Sequence, residues 1–101
     1  MNTDSTNMEL PELDEGLLDE AGFRALCAEV ERLTELDQVL VKGSPARYTP
    51  DTNWQLPAAR DALIAGQARG IQLRYRYDGQ AWFDTVLKTP DGYKVVRMQQ
   101  R

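Results

Sequence analysis

The chain has 101 residues, of which 42% are apolar and 28% charged, and a formal net charge of −4. That length supports one hydrophobic core and no more. No apolar run approaches the roughly 18 residues of a membrane span, and the N-terminus has neither the basic nor the apolar region of a secretory signal. A single cysteine, Cys27, excludes an internal disulfide, so a reducing cytoplasm is the expected setting.

The charge is unevenly placed. Residues 1–37 carry eleven acids and two bases, whereas residues 38–101 carry five acids and ten bases. Two readings are open: a solvated tail with a charged helix face, or an acidic arm that screens a basic surface until a partner competes. Residues 1–15 are polar and acidic, contain Pro11 and show no period, which predicts a disordered leader ahead of a single domain over 16–101.

From Leu17 to Leu36 the pattern is helical, with Phe23, Leu26, Cys27, Val30 and Leu33 on one stripe and Asp19 as its N-cap. Residues 38–42 (QVLVK) read either as a short extra strand or as the apolar tail of the helix exit. A long loop over 43–56 follows, then a second helix opened by Pro57 and running to Ala68, with Gly70 as its left-handed cap. The last third is the clearest. Ile71–Tyr77, Ala81–Lys88 and Tyr93–Gln99 are rich in strand formers and are separated by Asp78-Gly79 and Pro90-Asp91-Gly92. The fold class expected is α+β, with two helices packed on one face of a three-stranded antiparallel meander.

Register decides what such a sheet shows to solvent. A two-residue turn at Asp78-Gly79 sets Leu73 opposite Asp84 and Tyr75 opposite Trp82, which puts a carboxylate on the apolar face at a cost of several kcal/mol unless it is paired. A three-residue loop with Gly79 in a bulge pairs Leu73 with Phe83 instead and spares Asp84. Desolvation favours the second register, because a one-residue slip reverses every side chain. Phe83, Thr85 and Leu87 are then inside, and Arg74, Arg76, Trp82 and Asp84 share the outer face as a candidate partner-binding surface. The ordinary roles of the same residues are a Trp82 covered by the 43–56 loop and an Asp84 ion-paired with a neighbouring arginine.

The chemistry is narrowed mostly by exclusion. With no histidine and one cysteine, the chain lacks Ser-His-Asp and Cys-His nucleophiles, His-based zinc sites and Cys-x-x-Cys redox pairs. No phosphate-binding glycine loop is present. Cys27 sits on the apolar stripe, as a structural thiol does. No cofactor, metal or membrane is expected, and a small histidine-free enzyme is the weakest class. The function expected is a cytoplasmic interaction or accessory module that binds a protein partner, or a second copy of itself, through the outer sheet face. The alternative is single-stranded nucleic-acid binding through Trp82 and the strand arginines, opposed by the acidic composition and by strand alternation, which sends Tyr75 and Tyr77 away from Arg74 and Arg76.

Overall fold

A computed structural model of the chain describes residues 15–43 and 54–100. Its elements are β1 (Glu15–Leu18), α1 (Glu20–Leu33), β2 (Glu35–Lys42), α2 (Leu56–Ile64), β3 (Gly70–Tyr77), β4 (Gln80–Thr89) and β5 (Gly92–Gln99). The sheet is five-stranded and antiparallel, in the order β1-β5-β4-β3-β2, and both helices pack on one face of it. The expected three-stranded meander is therefore only its centre. β2 pairs with β3 along almost its full length, with a bulge between Leu36 and Gln38, so residues 38–42 are strand. β1 completes the other edge against Tyr93–Val96. Residues 1–14 of the predicted leader, and most of the predicted loop, lie outside the described residues.

Each helix ends where its own backbone chemistry stops it. The Asp19 carboxylate accepts the Gly22 N–H at 2.7 Å, capping α1 as the sequence predicts. At the other end the Thr34 hydroxyl and N–H both donate to the Val30 carbonyl, at 2.6 and 3.2 Å, and Thr34 itself is extended. The helix therefore stops short of Leu36, which pairs with Tyr75 in the sheet. α2 stops at Ile64 rather than Ala68. Gly66 has φ 80°, the Gly66 N–H donates to Leu63 and the Gln67 N–H to Ala62, which is a Schellman closure. Gly70, expected as that cap, is instead the first residue of β3.

The first hairpin overturns the expected register. Asp78 and Gly79 both have positive φ, 54° and 78°, and close a two-residue turn between Tyr77 and Gln80. Leu73 then lies opposite Asp84 and Tyr75 opposite Trp82, the arrangement that desolvation argued against. The covered face reads across the strands as Val41, Ile71, Val86, Val95 in one row and Val39, Leu73, Asp84, Arg97 in the next. α1 lays Phe23, Leu26, Cys27 and Val30 on this face, and α2 adds Leu56, Ala59, Ala62 and Leu63. Phe23 stacks on Tyr93 with ring centroids 4.7 Å apart. Among the described residues, no helix is long and apolar enough to cross a membrane.

Candidate functional site

The register divides the four residues singled out from sequence. Arg74 and Arg76 stand on the open face, away from the helices, and are exposed. Trp82 and Asp84 stand on the covered face, so they do not join the arginines. Trp82 is half-buried against the core beside Tyr75, and its indole Nε1 has no hydrogen-bond partner among the described residues. Asp84 is fully buried at 0% exposure.

What makes that burial tolerable is a partner on the next strand. Arg97, 4% exposed and directly opposite on β5, donates to Asp84 through Nε at 2.9 Å and through Nη2 at 2.8 Å. The Tyr75 hydroxyl donates to the same carboxylate at 2.9 Å. A buried carboxylate with three charge-assisted bonds is stable where a lone one is not. Burial alone would lower the Arg97 pKa, and the carboxylate bonded to it more than offsets that, so its pKa lies above the ordinary value. Burial first, and then the Asp84 charge, push the Tyr75 phenol up. All three side chains are shielded from solvent. The trio is a joint between β3, β4 and β5 rather than an exposed acid–base site.

The open face is different in kind. The alternation that buries Asp84 turns Ala81, Phe83, Thr85 and Leu87 outward from β4, together with Val96 and Met98 from β5 and Leu40 from β2. Leu17, Leu87 and Met98 are 58%, 44% and 52% exposed. Phe83 and Leu87, expected inside, are thus outside. At the centre, the Arg74 guanidinium lies 6.0 Å from the Phe83 ring centroid and donates to the Gln72 side-chain oxygen at 2.9 Å. Gln72 passes its own N–H to Thr85 at 3.0 Å. These bonds hold Arg74 flat across the sheet, and no carboxylate pairs with it among the described residues.

Four bases stand on this face: Lys42, Arg74, Arg76 and Lys94. Two acids stand there with them, Glu15 at 3.4 Å from Lys94 and Glu35 at 3.9 Å from Arg76, while Asp37 is exposed in the β2 bulge. Exposed pairs of this kind add little stability. No described element covers the face. The apolar members Phe83, Leu87 and Met98 were hidden from sequence reasoning by the register, although the Asp-Gly pair was itself the signal for the two-residue turn that exposes them.

Two other hollows are shallower in chemistry. One of about 580 Å³ lies between the end of α1 and the 78–79 turn, where Arg32 and Arg76 face Glu35 and Asp78. The other, of about 300 Å³, lies beside Trp54 and the β2 bulge. Among the described residues no three acidic or cysteine side chains converge closely enough to hold a metal ion. Comparison with protein-family models, with curated proteins and with solved structures returns no match.

Proposed function

We propose that the chain is a protein-interaction module whose open sheet face takes an extended partner segment of acidic and apolar residues. The observation that carries this reading is the set of apolar side chains Leu17, Leu87, Met98 and Phe83 on one open face, with Arg74 beside Phe83 and no carboxylate paired with it among the described residues. Exposed apolar side chains grouped on one face mark contact surfaces, and arginine and aromatic residues dominate their energetics. The face offers five strands about 4.8 Å apart and roughly 26 Å of strand, on the order of 500 Å² per partner, which suits a transient contact rather than an obligate one. A second copy fits less well, since it brings the same excess of bases against Arg74 and Arg76.

Selection of displayed short peptides on the full chain tests the reading, with a Met98→Asp/Leu87→Asp chain as counter-selection. Both positions are exposed, so the variant keeps its fold. Peptides should carry two or more carboxylates among apolar anchors and should be lost on the variant. Peptides retained equally by the variant, enrichment of nucleic-acid oligomers over peptides, or a dimer abolished by Met98→Asp would each replace the reading.

A further inference from the structure

We propose that the chain carries its own competitor for the open face: residues 1–14, which lie outside the described residues, are the segment that occupies it in the absence of a partner. The inference rests on the proposed function of that face, and it names the regulation of the same site. Three observations support it. Residues 1–14 hold four carboxylates, Asp4, Glu9, Glu12 and Asp14, interleaved with Met8, Leu10 and Leu13, and no Lys or Arg. That is the chemistry the face fits: carboxylates for Arg74 and Arg76, apolar side chains for Phe83, Leu87 and Met98. The segment also joins the sheet at the right place, because β1 is an edge strand and its Glu15 and Leu17 already stand on the open face.

Reach is sufficient. Arg74 on β3 is three strands from β1, about 14 Å at the usual strand spacing, and five extended residues cover that distance. Tethering is what makes a weak segment effective. A covalently joined competitor acts at a local concentration in the millimolar range, so a segment of modest intrinsic affinity still covers the face most of the time. An outside partner then binds only the uncovered fraction, and its apparent affinity falls in proportion.

The test uses the full chain with Thr6→Cys carrying a nitroxide label. Cys27 does not compete for the reagent, since it is 2% exposed and burial pushes its thiol up to about 12. Methyl signals of Leu87 and Met98 should lose most of their intensity, while those of Val86 and Val95 on the covered face keep theirs. In parallel, Glu9→Lys/Glu12→Lys should bind a peptide selected on the open face about 5- to 10-fold more tightly than the unaltered chain, as expected if the segment covers some 80–90% of molecules. Uniform broadening, or broadening on the helix side, overturns the inference whatever the peptide does. So does a charge-reversed chain that binds the peptide no more tightly. If the label maps to Leu87 and Met98 but no peptide is ever selected there, the outside partner is refuted and the segment stands as the face's occupant.

Discussion

Asp84 and Arg97 face each other across β4 and β5, joined by two hydrogen bonds of 2.9 and 2.8 Å beneath the helices. The pair fixes which side of the sheet is open. A one-residue slip of β4 against β5 would send the carboxylate to solvent and leave the guanidinium buried alone, so the pair disfavours the register in which Phe83 and Leu87 are covered.

Removing one partner should therefore cost far more than removing both. Asp84→Ala or Arg97→Ala leaves an uncompensated buried charge, at about 3–5 kcal/mol, a large part of a small domain's stability. Asp84→Leu with Arg97→Met should fall within about 1–2 kcal/mol of the unaltered chain or exceed it. Urea denaturation of the three variants checks this; single changes below about 1 kcal/mol would contradict the role of the pair.

Tyr75→Phe removes only the hydroxyl that donates to Asp84 at 2.9 Å. A loss of about 1.5–3 kcal/mol is expected for a hydrogen bond to a charged group, smaller than for Asp84→Ala. The same denaturation series ranks the two.

Trp82 and Met98 should behave oppositely. Trp82→Ala strips a ring packed on the core and should cost about 3 kcal/mol, where an outward Trp82 would have cost little. Met98→Ala, at an exposed site, should stay within about 0.5 kcal/mol. Thermal melts of both separate the two faces of the sheet directly.

The Cys27 thiol is raised by burial from 9.0 to about 12. Between those values the unfolded chain has released the proton and the folded chain still holds it, so stability falls as pH rises through that window. Cys27→Ala should remove part of the decline, read as a smaller loss of stability between pH 9 and 11 in denaturation. The raised Tyr75 phenol acts in the same direction at higher pH and leaves a residual slope.

Much of the local structure was legible in the residues. The Asp19 cap, the apolar stripe of α1 from Phe23 to Val30 and the three strands around Asp78-Gly79 and Pro90-Asp91-Gly92 follow from short-range chemistry, and the structure has them, whereas Leu33, expected on the same stripe, is exposed. Where the reading failed, the deciding contact was distant. Burying Asp84 looked too costly because Arg97, thirteen residues on, supplies the bonds that offset it. β1 has four residues, Glu15–Leu18, too few to announce a strand, and it exists through its pairing with β5. Gly92 assists that pairing, since a Cβ there would stand 2.5 Å from the Leu18 carbonyl oxygen. The outer surface inherits the register error: Arg74 and Arg76 do face outward, but the places expected for Trp82 and Asp84, opposite Arg74 and Gln72, belong to Phe83 and Thr85.

Arg74 should contribute to partner binding mainly through charge. Arg74→Ala is expected to weaken capture of an acidic peptide about fivefold, or about 1 kcal/mol, with a larger effect at low salt than at high salt. Titrations at two ionic strengths check the sign.

The most direct measurement is methyl and amide shift mapping of the full chain titrated with the tightest peptide selected on it. If the open face is the binding surface, the largest shifts fall on Leu17, Arg74, Phe83, Leu87 and Met98, with Val86 and Val95 nearly still. Shifts confined to the helices, or to the hollow between Arg32 and Gly79, would contradict it.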